Sequence, residues 1–92
     1  MIKSFRHKGL RRFFETGDTR GISAEHATKL KRILTLLQEA VAIDGVDAPG
    51  FRTHQLSGDL TGYWAVTVRA NWRIVFRFEG PNVHDVDLVD YH

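Results

Sequence analysis

Cysteine is absent from this chain. That single absence excludes disulfides, zinc–thiolate sites and thiol nucleophiles together, and it suits a reducing compartment. Also missing are any long uncharged apolar stretch and any positively charged lead into an apolar run, so secretion and membrane insertion find no support and the cytoplasm is the expected location. No internal repeat, low-complexity tract or inter-domain linker interrupts the sequence. With 92 residues, 42% of them hydrophobic, there is material for one core and too little for two, so residues 1–92 are read as a single domain with one active surface.

Charge is present but unevenly placed. The net charge of +2 hides a basic first part and an acidic second. Residues 1–40 hold nine Lys and Arg against four acids, whereas residues 41–92 hold four Arg against seven. Such asymmetry suits a polyanion-docking surface joined to a more acidic sheet, although cations that merely solvate helix faces give the same count.

Hydrophobic spacing divides the chain the same way. Ile2 to Phe5 reads as an opening strand. Leu10, Phe13 and Phe14 fall at helical spacing before a stop at Gly17. Ser23 is placed to cap a second helix, in which Ala27, Leu30, Ile33, Leu34, Leu37 and Val41 form an apolar stripe with Lys29, Lys31 and Arg32 off it. Gly45 to Gly50, with Pro49, breaks the helix, and β-type residues follow from Phe51.

Trp64, Val66 and Val68 alternate in one run, and Trp72, Ile74, Phe76 and Phe78 in the next. A hairpin with a three-residue connection over Arg69, Ala70 and Asn71 sets Trp72 opposite Val68, Ile74 opposite Val66 and Phe76 opposite Trp64, which keeps one face apolar. A further turn over Gly80, Pro81 and Asn82 sets Arg77 opposite Asp85 and Arg73 opposite Val89, with Tyr91 two residues further along the outward face. The expected fold is α+β: two amino-terminal helices packed on one face of a mostly antiparallel β-sheet, the Arg-bearing face left free.

RNA can be cut without a metal when a base deprotonates the 2′-hydroxyl, an acid protonates the departing 5′-oxygen and a cation stabilises the phosphorus oxygens. Histidine and arginine suit these tasks. The chain offers His54, His92 and Arg73, and Tyr91 adds a ring that can stack on an unpaired base. Taken singly, a strand histidine is more often structural than catalytic, Arg73 fits an ordinary cross-strand ion pair, and Asp90-Tyr91-His92 is as readily a frayed tail as a strand continuation. His7, His26, His54, His84 and His92 show no paired helical spacing, so no metal site and no cofactor is expected. Asp85 and Asp87, near His84, answer Arg77 more naturally.

The run from Arg52-Thr53-His54 through Ser57-Gly58-Asp59 to Tyr63-Trp64-Ala65-Val66, then Val68-Arg69-Ala70-Asn71-Trp72-Arg73-Ile74 and the final Asp90-Tyr91-His92, resembles the HigB toxins of the RelE/ParE superfamily. The opening Met1-Ile2-Lys3-Ser4-Phe5, with His7-Lys8-Gly9-Leu10 and Phe14-Glu15 before Gly17, is similar to the same family, so the resemblance spans essentially the whole chain. It implies a RelE-like microbial ribonuclease fold and a ribosome-dependent endoribonuclease that cleaves mRNA in the decoding site. It assigns His54 and His92 to proton transfer, Arg73 to phosphate stabilisation, Tyr91 to stacking or orienting the base, and Asp90 to supporting the cluster. It also implies a HigA-like helix-turn-helix antitoxin as partner, with operator DNA met only through that complex. The chain departs from many members at Ser57, where they carry lysine before the Gly-Asp pair.

Lys8, Arg11, Arg12, Lys29, Lys31, Arg32 and Arg69 are candidates for RNA or ribosome contact. Two rival readings share the fold: a ParE-like inhibitor of DNA gyrase, and a catalytically silent RNA- or ribosome-binding module.

Overall fold

In the computed structural model, which describes residues 1–91, the chain runs from helix to sheet. Helix α1 (Lys8–Thr16) starts where the Leu10 amide donates to His7 Nδ1 at 2.9 Å. It ends at Gly17, whose left-handed φ of 79° turns its N–H back to the Phe13 carbonyl, the usual way a glycine closes a helix. A single 3₁₀ turn, Ala24–His26, leads into α2 (Ala27–Glu39). Ser23 stands at this entrance, but its side chain caps nothing. The expected serine cap is replaced by the 3₁₀ turn, in which the His26 amide donates to the Ser23 carbonyl instead. Val41 lies beyond the end of α2 and is 72% exposed, so it drops out of the apolar stripe.

The sheet is antiparallel with strands in chain order: β1 (His54–Gln55), β2 (Tyr63–Arg69), β3 (Trp72–Glu79) and β4 (Asn82–Asp90). The register matches the sequence reading along much of its length, with Val66 opposite Ile74, Trp64 opposite Phe76 and Arg73 opposite Val89. The turns differ. Arg69 pairs with Trp72 across only Ala70 and Asn71, and Glu79 pairs with Asn82 across Gly80 and Pro81. Each two-residue turn is followed by a bulge, between Thr67 and Arg69 in one hairpin and between Val75 and Arg77 in the other. A bulge adds one residue to one strand, so a short turn plus a bulge reaches the phase that a three-residue turn would give. Arg77 consequently faces His84 rather than Asp85.

The opening segment is not a strand. Ile2 and Phe5 make isolated parallel bridges to Val83 and Val86 of β4, carried by amide bonds such as Lys3 N to Val83 O and Arg6 N to Val86 O, at 2.7 and 2.8 Å. The irregularity at Asp85, with φ of 56°, falls between the two bridging points and interrupts a continuous ladder.

One buried cluster joins the parts. Leu10 of α1 and Leu30, Ile33, Leu34 and Leu37 of α2 pack with Val66, Ile74, Phe76 and Val86 from the sheet and Phe51 from the preceding loop. These strand positions alternate in phase, so the hydrophobic effect holds the register as well as the layers. Gly9 and Gly21 face each other where α1 meets the loop ahead of α2. A Cβ on Gly9 would strike the Gly21 backbone, and one on Gly21 would sit 2.5 Å from the Gly9 Cα.

Candidate active site

His54 opens β1 opposite Ala65, and the ladder continues from Ala65 to Val75 and from Val75 to Asp87. This row crosses all four strands. Ala65 and Val75 are buried yet lie outside the main core cluster, so they floor the second face of the sheet between His54 and Asp87. His54 itself is exposed, and its Nδ1 lies 2.9 Å from the Arg52 carbonyl oxygen. A carbonyl can only accept, so Nδ1 carries the proton in this bond and the neutral ring keeps its lone pair on Nε2. Arg52, at φ 50°, is what aims that carbonyl at the ring.

Arg73 stands opposite Thr67 and Val89. By strand spacing and rise its Cα is about 12 Å from that of His54, within the combined reach of the two side chains and a phosphate between them. The guanidinium folds toward the β2–β3 turn, where Nη1 donates to the carbonyls of Ala70 (2.6 Å) and Trp72 (3.1 Å). Both of these partners are neutral carbonyls, so the bonds position the fork without pairing its charge with a carboxylate.

Tyr91 reaches the same turn: its amide donates to the Asn71 carbonyl at 2.8 Å, and its ring is exposed. Asp90 ends β4 opposite Trp72. His92 lies outside the described residues. Arg73, Asp90 and Tyr91 therefore gather at one end of the sheet, with His54 two strands away.

Arg77, on the same strand and the same face as Arg73, is engaged quite differently. Its Nε donates to Asp85 Oδ2 at 2.8 Å and its Nη1 to Glu79 Oε2 at 3.0 Å. Asp85 also accepts from the Tyr63 hydroxyl, which in turn accepts from Arg6 Nη2, both at 3.1 Å. The Ser4 hydroxyl accepts from the Asp85 amide at 2.8 Å. The hydrogen bond from Arg77, reinforced by Tyr63, holds the Asp85 carboxyl below its ordinary range, and Arg77 does the same to Glu79. Arg77 is itself held more firmly protonated. The sequence reading paired Arg77 with Asp85 but missed Tyr63, Arg6 and Ser4; the signal available was the phase of Tyr63, which alternates with Ala65 and Thr67 on the outward face.

The basic candidates fall into three groups. Arg11 and Arg69 make exposed pairs with Glu15 (3.4 Å) and Glu25 (3.0 Å), and Arg12 stands 3.9 Å from the half-buried Asp18. Asp18 is already bound by Arg20 at 2.8 Å, which leaves Arg12 only loosely held. Lys29 and Arg32 lie over the Phe51 ring at 6.0 and 5.2 Å, and Lys29 also donates to the Gly50 carbonyl. They secure the loop before β1, a structural duty not legible in the sequence. Lys8 and Lys31 are exposed. Ser57 is exposed ahead of the 3₁₀ turn Gly58–Leu60, with no side-chain cap.

His26, weighed in the sequence only as a metal ligand, is a core residue. It is 4% exposed, and its ring stands 6.0 Å from that of Trp72. Among the described residues no three His, Asp or Glu side chains form a group able to hold a metal ion, and no helix is long and apolar enough to cross a membrane.

Comparison with known proteins places the chain in a family. Residues 3–92 match the family model described as a RelE-like toxin of the type II toxin–antitoxin system HigB. The chain is 41% identical over 92 residues to the endoribonuclease HigB of Proteus vulgaris, covering 100% of both. Among solved structures it resembles a mutant YafQ from E. coli (TM-score 0.65, 17% identity, 98% of this chain and 91% of that one). A YoeB–YefM complex from Staphylococcus aureus gives a TM-score of 0.64 at 17% identity, with 100% and 95% covered. At such identities these two likenesses speak for the fold alone.

Proposed function

This chain belongs to the HigB family of RelE-like toxins of type II toxin–antitoxin systems, and we propose that it is an endoribonuclease that enters the ribosomal A site and cleaves the mRNA there, halting translation. The reaction needs no metal or other cofactor. His54 Nε2 takes the proton of the 2′-hydroxyl, whose oxygen attacks the adjacent phosphorus. The bond to the 5′-oxygen breaks, His92 supplies that oxygen with a proton, and a 2′,3′-cyclic phosphate and a 5′-hydroxyl remain. Arg73 stabilises the charge that builds on the phosphorus oxygens. Tyr91 stacks on the substrate base, and Asp90 supports the terminal cluster. The observation that carries this reading is the orientation of His54, whose Nδ1 is tied to the Arg52 carbonyl so that Nε2 remains to accept a proton.

The domain is one unit over residues 1–92. In our reading α1 and α2 cover the apolar face of the sheet and the face bearing His54 and Arg73 meets the message. Lys8, Arg11, Arg12, Lys29, Lys31, Arg32 and Arg69 supply the field that draws RNA and ribosome; exposed ion pairs such as Arg11–Glu15 are weak and yield to phosphate at small cost. The protein works in the cytoplasm and is held inactive by a HigA-like helix-turn-helix antitoxin, touching operator DNA only through that complex.

The test is cleavage of a defined message on purified ribosomes, by wild type and by His54→Ala, His92→Ala and Ser57→Lys. Sharp loss in both histidine variants, with cuts inside codons in the decoding site, is the expected result. Undiminished cutting by a chain lacking Tyr91 and His92 sinks the site assignment. An intact message together with inhibited gyrase favours the ParE-like reading instead.

A further inference from the structure

Beside the β2–β3 turn lies a shallow pocket of about 420 Å³ whose lining includes Glu25, His26, Lys29, Arg32, Val68 and Arg69. Three cations meet one carboxylate there, so an anion entering the pocket is attracted. The carboxylate is already in use: Glu25 Oε2 accepts from Arg69 Nη1 at 3.0 Å, joining the entrance of α2 to the end of β2. Both side chains are more than 60% exposed, and an exposed pair of this kind contributes little to stability and exchanges partners readily. The floor, by contrast, is fixed. Val68 is buried and His26 is packed beside Trp72. Arg69 immediately precedes the turn whose carbonyls hold Arg73 and the Tyr91 amide, so the pocket adjoins the end of the sheet where those two residues gather.

We propose that the pocket is an RNA phosphodiester subsite in which the Glu25 carboxylate is the resting occupant of Arg69 and the RNA phosphate replaces it. Arg69 is the principal ligand, because its planar fork fits phosphate oxygens as it fits a carboxylate. Lys29 and Arg32, partly committed to Phe51, add field more than direct bonds. Glu25 thereby sets how much RNA affinity the active end of the sheet retains. This proposal rests on the RNA-cutting reading above and names a second contact for the same strand.

The experiment measures binding of a 2′-O-methylated oligonucleotide, which cannot be cut, over a range of salt. It uses the full chain, with thermal unfolding as a check that each variant is folded. Glu25→Gln is expected to tighten binding by about 3- to 5-fold, the worth of an exposed ion pair. Arg69→Ala is expected to weaken it and to lower the log–log salt slope by about 0.7, one phosphate contact on a single strand. In the Arg69→Ala background, Glu25→Gln should tighten binding less than it does in wild type.

Glu39→Gln makes the same charge change at the far end of α2. Equal tightening by Glu39→Gln and Glu25→Gln overturns the subsite, and so does an unchanged salt slope in Arg69→Ala. Repeating the measurement on ribosomes locates the phosphate: an Arg69 effect on vacant ribosomes assigns it to ribosomal RNA, and one that appears only when message fills the decoding site assigns it to the message. A chain that binds the oligonucleotide with these salt slopes yet leaves ribosome-bound message intact overturns the proposed activity but not the pocket.

Discussion

Arg73 and Arg77 stand four residues apart on β3, on one face of one sheet, and their surroundings have made opposite use of them. Arg77 is bonded to two carboxylates, and that of Asp85, at the bulge, is shared with Tyr63. Its charge is consumed locally, and in exchange the bulge and the opening segment are tied to the sheet. Arg73 donates to the neutral carbonyls of Ala70 and Trp72, which position its guanidinium at the turn without neutralising its charge. The lesson is that an arginine's availability follows from what its donors meet: carboxylates make it a fastener, whereas carbonyls position it and leave it charged.

Replacing each arginine in turn puts this contrast to its severest test. Arg73→Ala should lower ribosome-dependent cleavage by about 10²–10³-fold, the usual loss when a preorganised charge stabiliser is removed, with little change in unfolding midpoint. Cleavage within a few-fold of wild type would erase the distinction. Arg77→Ala should do the reverse, lowering the midpoint of denaturant unfolding because Asp85 loses its charged partner, while turnover per folded molecule is kept.

Acid titration sharpens the same point. Asp85 and Glu79 have folded-state pKa values below their ordinary ones, so the stability they contribute is present above about pH 4 and is lost as pH falls through the depressed folded values. Wild type should therefore lose stability more steeply below pH 4 than Arg77→Ala does. Equal slopes would show that the network is not what holds that end. The smallest effect concerns the Arg73 turn, where Ala70 sits at φ 50°. Ala70→Gly should relieve about 1 kcal/mol of left-handed strain, read as a small rise in melting temperature.

How far the sequence foretold this arrangement depends on the quantity considered. Alternation of Trp64, Val66, Ile74 and Phe76 specifies which side chains share a face, and that phase was legible. The turns were not, because a three-residue connection and a two-residue turn with a bulge give the same downstream pairing; Arg73 opposite Val89 is common to both. The first turn and the second bulge contain left-handed residues, Ala70 and Asp85, with no glycine to announce them. Arg77 reached Asp85 despite the shifted register, since a long side chain spans one residue of slip.

At the site, Arg73 and Tyr91 could be brought to one end by counting along strands. The hydrogen-bonded nitrogen of His54 could not, because it depends on the φ of Arg52. Nor could the duty of Lys29 and Arg32 over Phe51, which needs the loop's path.

The bridges from Ile2 and Phe5 to β4 have a consequence for self-association. β4 is the long outer strand of the sheet, and an uncovered strand of that length would offer its amides and carbonyls to any other extended chain, including another copy of itself. The opening segment fills that role intramolecularly, with Lys3 and Arg6 donating to Val83 and Val86 and the amides of those valines donating back to Met1 and Ser4. The first six residues thus act as a guard rail along the sheet, and Asp85, by gripping Ser4, is the post to which that rail is fixed.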